Sequence, residues 1–145
     1  MDQEQKVKLA RQFISGLPYA RALSLQMDEI GDGHATISMP YSVELVGDPA
    51  TGVISGGAVS GLMDTTGGAA VMSHPSNPGG TATIDLRIDY MRPATPGQRI
   101  VAKAEVYHIT RSVAFVRAVA LDDDVDRPVA TATGAFTVEG SGAKT

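Results

Sequence analysis

Residues 56–74 read GGAVSGLMDTTGGAAVMSH, and how this stretch folds decides the architecture around it. Val59, Leu62, Met63, Thr66, Ala70 and Ser73 recur at helical spacing and trace one stripe of apolar and small side chains. Gly56, Gly57, Gly61, Gly67 and Gly68 lie in or beside that stripe. Each glycine inside a helix costs about 1 kcal/mol relative to alanine, so this helix would be poor on a surface. If it is buried, the absent side chains let another backbone approach closely. Pro75 and Pro78 then close the segment. The pattern predicts a central, buried helix.

A buried helix needs cover, and the flanking sequence supplies it as strands. In 81–91, Ala82, Ile84, Leu86, Ile88 and Tyr90 alternate with Thr81, Thr83, Asp85, Arg87 and Asp89. Further strands are predicted over 99–110, 112–122 and 128–138, separated by Pro93–Gly97, Thr110-Arg111 and the acidic turn Asp122–Asp126. Short turns between successive strands imply an antiparallel meander. Upstream, 22–41 reads as a hairpin, with Leu23, Leu25 and Met27 on one arm and Ala35, Ile37 and Met39 on the other. Asp32-Gly33 supplies its turn. Residues 42–55 form a long connection. Residues 4–16 form a short amphipathic helix that ends at Gly16 and Pro18. The expected fold is α+β: one curved antiparallel sheet wrapped around the central helix. A single domain is expected over 1–145, with the N-terminal helix within about 1–18 and a flexible tail over about 140–145.

Composition narrows the chemistry. The 145 residues contain no cysteine, which excludes a disulfide framework, a thiolate nucleophile and a Cys-bearing zinc site. His34, His74 and His108 are far apart in sequence and read as surface or loop residues, so no metal site is expected. A net charge of −4 argues against a nucleic-acid-binding surface. The first residues, MDQEQKVKLARQF, carry no apolar signal core, and no stretch has the roughly 18 apolar residues of a membrane span. A soluble, cytoplasmic protein with no membrane partner is expected. The run Asp122-Asp123-Asp124 lacks the glycine and distant glutamate of a calcium loop and reads as a solvated acidic turn. Any chemistry must come from carboxylates, hydroxyls, backbone amides or a bound cofactor.

Two motifs carry a family resemblance. The run Thr51-Gly52-Val53-Ile54-Ser55-Gly56-Gly57, continuing to Asp64, looks like the loop and helix start of the phenylacetate-degradation-type (PaaI-like) acyl-CoA thioesterases. Their pattern is G-x-[IV]-H-G-G followed by an aspartate. The stretch Thr83–Ala94 with Pro96-Gly97 resembles the same family's third strand and turn. The likeness runs from about residue 20 to 138 and implies the hotdog fold.

The resemblance further implies hydrolysis of an acyl-CoA thioester with a short-chain or aromatic acyl group. The coenzyme A ester would be the substrate, with no separate cofactor. Asp64 falls at the position of the family's catalytic carboxylate, as general base or nucleophile. The amide of Gly56 or Gly57, at a helix N-terminus, would polarise the carbonyl; the same glycines also suit a sharp turn into the helix. Thr83 matches a position where a hydroxyl holds water or the carboxylate, and Thr81 is the fallback. Two positions depart from the pattern. Ser55 stands where relatives have histidine, and Asp48 where they often have asparagine. Both are candidate substrate contacts, and Arg111 is the candidate for the phosphates of coenzyme A. The family forms homodimers and commonly homotetramers with the site at a subunit interface. A non-catalytic acyl-CoA binder is the alternative that Ser55 and Asp48 suggest. Enoyl-CoA hydration would need an Asp/His pair that the stretch from Ser42 to Thr66 lacks.

Overall fold

The computed structural model describes residues 2–77 and 79–139; the expected tail at 140–145 and the predicted breaker Pro78 lie outside them. Helix α1, Gln3–Gly16, begins with a capping box in which Asp2 and Gln5 each bind the other's backbone amide. Pro18 does more than end it. With its φ preset for a first helical turn, it opens a second short helix, α2, Pro18–Ala22. Ser24 then takes φ +56° and breaks the path. The first hairpin arm therefore starts at Gln26 rather than at 22: β1 is Gln26–Gly31 and β2 is His34–Met39. Asp32 and Gly33 turn between them at φ +48° and +90°, the left-handed pair that a two-residue hairpin demands.

The connection over 42–55 is more structured than expected. It holds a 3₁₀ turn at Val43–Leu45 and a two-stranded ribbon of β3, Val46–Asp48, and β4, Val53–Ile54. The ribbon delivers the chain to α3, Gly56–Ser73, the predicted central helix. Four strands follow: β5, Thr83–Tyr90; β6, Ile100–Ile109; β7, Val113–Leu121; and β8, Ala130–Thr137.

Among the described residues these strands form a six-stranded antiparallel sheet ordered β1-β2-β6-β7-β8-β5. This corrects the expected meander. Strand β5 does not pair with β6, its successor; it lies beyond β8 at the edge, with Tyr90 opposite Ala130 and Leu86 opposite Gly134. Short connections persuade the eye that neighbours in sequence pair, yet the 91–99 segment carries the chain across to a strand on the far side of the sheet.

The sheet face toward α3 is built from small residues. Ala102, Ala114, Ala120 and Ala130 are fully buried there, beside Val116. Small side chains let the helix sit close, and Leu62, Met63, Thr66, Ala70 and Val71 of α3 have no exposed surface. Gly61 and Gly67 accept rings rather than a backbone. A Cβ built on Gly67 would lie 2.7 Å from Cζ of the fully buried Phe136, and one on Gly61 would lie 2.6 Å from the Tyr19 hydroxyl. Phe136 has nowhere to go. Gly67→Ala is therefore expected to destabilise the fold by about 2 kcal/mol through overpacking, despite its better helix propensity. Thermal unfolding checks this, and a variant as stable as the parent would contradict it.

The acidic turn is solvated at Asp123 and Asp126 but not at Asp122. Asp122 is buried, and its carboxylate is gripped in a fork by Arg92, with Nη1 and Nη2 at 2.8 and 2.6 Å. Thr95 donates to the same carboxylate from both backbone and hydroxyl, each at 3.0 Å. The strand-end arginine is thus engaged inside the protein, tying the β5–β6 connection to the end of β7. Among the described residues no helix is long and apolar enough to cross a membrane.

Candidate active site

Ser55 caps α3. Its Oγ accepts the Gly57 N–H at 3.2 Å, an arrangement any serine at a helix start favours. Helix geometry leaves the Gly56 N–H with no intrahelical acceptor. Tyr90, at the end of β5, lies across this turn: its hydroxyl donates to the Gly56 carbonyl at 2.9 Å. A Cβ on Gly56 would come within 3.3 Å of the Tyr90 ring. Tyr90 was legible only as one more member of the β5 alternation. The signal for it is register, since its opposition to Ala130 puts it on the helix side of the sheet.

Asp64 lies about two turns further along α3, so ~12 Å from the helix start at 1.5 Å per residue. Its Oδ1 accepts a 2.6 Å hydrogen bond from the Thr83 hydroxyl at the start of β5. Charge-assisted bonds of this kind are short and hold both partners in place. Nothing among the described residues donates to Oδ2. One carboxylate oxygen is thus anchored while the other stays available.

Asp64 and Thr83 face a cavity of about 770 Å³ that is bounded by α1, α3, β1 and the start of β5 and open to solvent on one side. That size suits a small-molecule site. Leu9, Phe13, Met27, Met72 and Phe136 make much of its wall, and polar side chains gather at the Asp64 end and along the α3 C-terminus. His74, read from sequence as a surface or loop residue, caps the C-terminus of α3 and lines the cavity's far end; its Nδ1 accepts from Ser76 N at 3.0 Å. His34 and His108 are exposed, on strands rather than loops.

The sequence-derived site residues thus fall into two groups. Asp64, Thr81 and Thr83 meet on the cavity. Thr81 precedes the strand, however, and its hydroxyl donates to the Thr137 carbonyl at 2.6 Å, which makes it a clasp between β5 and β8. Gly56, Gly57, Ser55 and Asp48 lie at the other end of α3 and do not line this cavity. Asp48 is exposed and holds its own loop, accepting from Ala50 N at 3.0 Å and from the Thr51 hydroxyl at 2.9 Å. Arg111 is exposed in the β6–β7 turn. Within one copy, then, the helix-start amides and the carboxylate do not converge. Beside both of them runs β5, a sheet edge whose Ile84 and Tyr90, with the adjacent Met91, are more than half exposed.

A family model described as the thioesterase superfamily matches residues 51–129. The chain belongs to the thioesterase superfamily. The matched span of this thioesterase-superfamily chain contains α3 with Asp64, and β5 with Thr83. It is 27% identical to the medium/long-chain acyl-CoA thioesterase YigI of Salmonella typhimurium, over 93% of this chain and 95% of that protein. Among solved structures it resembles a Pseudomonas aeruginosa protein at 38% identity and TM-score 0.80, covering 91% of this chain and 98% of the other. It also superposes on the E. coli PaaI protein from the phenylacetic acid degradation operon with TM-score 0.83 at 20% identity, over 97% and 98% of the two chains. The latter is a likeness of fold. The sheet wrapped around α3 is the hotdog fold that the motifs implied.

Proposed function

We propose that this chain hydrolyses acyl-CoA thioesters with Asp64 as its reactive carboxylate, in an assembly of at least two copies. The observation that carries the reading is the 2.6 Å bond from the Thr83 hydroxyl to Asp64 Oδ1 at the mouth of a largely apolar cavity. A carboxylate anchored through one oxygen presents the other in a fixed direction, as a base or a nucleophile must. As base, Asp64 takes a proton from water while the water oxygen attacks the thioester carbon. The tetrahedral intermediate then expels the coenzyme A thiolate, which receives a proton. As nucleophile, Asp64 attacks that carbon itself and the C–S bond breaks, releasing the coenzyme A thiolate, which takes up a proton. Water then hydrolyses the acyl–aspartyl anhydride to the free acid and restores Asp64.

Either route builds negative charge on the carbonyl oxygen, and a donor must wait there. The ~12 Å along α3 keeps a chain's own helix-start amides away from its Asp64. We therefore assign the donor to Gly56 or Gly57 of the partner subunit, brought over by pairing along the β5 edge, where Ile84, Tyr90 and Met91 are exposed. Of the two, Gly56 is favoured, because Ser55 Oγ already takes the Gly57 N–H. A homodimer satisfies this, as does a homotetramer of two such dimers. Arg111, exposed in the β6–β7 turn, is the candidate for coenzyme A phosphate. The protein would work in the cytoplasm on a substrate found there, without a further cofactor.

Thr83→Val keeps the shape and removes the hydroxyl. It is expected to lower kcat about tenfold with little change in KM, since a charge-assisted hydrogen bond is worth about 1.5–3 kcal/mol and part of that restrains Asp64. Release of free thiol from a panel of acyl-CoA esters, followed with a thiol-trapping dye, measures it. An unchanged kcat would remove the anchoring role. A second reading, an acyl-CoA binder without turnover, draws on Ser55, whose hydroxyl caps the helix and does not replace an imidazole. Calorimetry that finds tight ester binding in a protein releasing no thiol would favour it.

A further inference from the structure

We infer that the cavity between α1 and α3 holds a straight aliphatic acyl chain of medium length, about ten carbons, and that α1 sets that length. The inference rests on the reading of Asp64 as the reacting end of the site. Starting there, the cavity floor follows α3 from Asp64 to Ser73, about nine residues and so ~13.5 Å at 1.5 Å per residue. With C–C bonds of ~1.5 Å, a zigzag alkyl chain advances about 1.25 Å per carbon, so ten or eleven carbons span that floor. A short or aromatic acyl group would reach along only part of that ~13.5 Å floor.

The chemistry of the wall points the same way. Beyond Asp64 and Thr83, the wall hydroxyls are already satisfied by backbone. Thr65 donates to Gly61 O at 2.9 Å, Ser73 to Ala70 O at 2.9 Å and Thr81 to Thr137 O at 2.6 Å. A polar tail would lose its water and gain little in return. Met27 and Met72, unbranched and deformable, suit a flexible chain of methylenes. The remaining wall is α1, which presents Leu9, Ala10 and Phe13 to the cavity. Leu9 and Phe13 are about half exposed, at 50% and 51%. Leu9 and Phe13 thus put apolar surface along the side of the cavity that an acyl chain would pass.

The test is a length series. Values of kcat/KM are measured for acetyl-, butyryl-, octanoyl-, decanoyl-, dodecanoyl-, hexadecanoyl- and phenylacetyl-CoA with the parent protein, Ala10→Phe and Phe13→Ala. The parent should peak between octanoyl and dodecanoyl. Each methylene moved from water into the cavity is worth up to about fourfold, so the decanoyl-to-butyryl ratio should exceed tenfold. Ala10→Phe, which fills the cavity, should cut that ratio at least tenfold. Phe13→Ala, at a half-exposed position on the cavity wall, removes little core packing and should move the peak toward hexadecanoyl. A peak at acetyl, butyryl or phenylacetyl, or profiles identical in all three proteins, would overturn the inference while leaving thioesterase function standing. If no ester is hydrolysed, the functional reading fails. Calorimetry on Asp64→Asn then decides the cavity separately. Decanoyl-CoA binding at least tenfold tighter than butyryl-CoA, with the difference lost in Asp64→Asn/Ala10→Phe, sustains it. Equal affinities end it.

Discussion

Asp64→Asn is expected to lower kcat for its best acyl-CoA ester by about 10²–10⁴-fold, the usual contribution of a positioned acid–base group. Asparagine keeps the volume of aspartate and still offers a carbonyl oxygen to the Thr83 hydroxyl, so the 2.6 Å anchor has a partner in the variant. The exposed polar end of the cavity asks for no repacking. What disappears is the negative charge and, with it, both the basicity and the nucleophilicity of Oδ2. Because substrate binding is assigned to the apolar cavity and to Arg111, KM should move by less than about threefold. A loss confined to kcat identifies an interaction made only on the way to the transition state. Residual activity within tenfold of the parent would take Asp64 out of the chemistry. The shared site gives a second readout. Gly56→Val blocks the partner-facing donor end, and Asp64→Asn blocks the carboxylate end. Mixing the two inactive proteins through a denature–refold cycle should yield heterodimers with one intact site each, and activity should return. If each copy carried a complete site of its own, mixing would restore nothing.

How much of this was legible beforehand depends on how far apart the interacting residues stand in the chain. The Asp32-Gly33 turn was readable because its cause is local: two residues that tolerate positive φ, flanked by alternation. The buried helix was readable because an abundance of glycine has no other good explanation, though the rings of Tyr19 and Phe136 that occupy the gaps were not. The order of strands was not readable. Whether β5 pairs with β6 or β8 is decided by non-local contacts, and alternation along β5 is the same in either case. The same holds for the site. Asp64 and Thr83 stood out through family spacing alone; nothing local marks an aspartate 19 residues from its threonine as a partner. Asp48, Ser55 and Thr81 were candidate contacts by position, but each has a backbone-directed hydrogen-bonding role in the structure. Polar residues at loops and strand ends satisfy backbone first, and that competing demand is visible only once the backbone is in place.

Asp122 shows the converse, a residue whose local context hides its importance, and its removal should be the costlier of the two structural substitutions. Flanked by Asp123 and Asp124, it looks like part of a solvated turn. Yet its carboxylate accepts five hydrogen bonds, two from Arg92, two from Thr95 and one from Asp124 N. Asp122→Ala removes a buried carboxylate and leaves the donors of Arg92 and Thr95 without their acceptor, and is expected to cost about 3 kcal/mol. For a domain of this size that is a fall in Tm of roughly 10 °C. The Arg92 guanidinium, helped by the Thr95 and Asp124 donors, holds the Asp122 carboxyl far below the usual carboxylate range. The sign of the pH dependence follows. A carboxylate whose pKa is depressed in the folded state contributes stability that is complete above its unfolded pKa of about 3.9 and is lost as pH falls through the folded value. Urea unfolding of the parent and Asp122→Ala should therefore give the same difference in stability at pH 7 and pH 5, and a smaller one at pH 3. The parent's advantage fades there because folding must now compete with protonation of the free carboxylate. A difference that persists unchanged at pH 3 would mean that the ionised fork contributes nothing, and that Asp122 acts only by filling space.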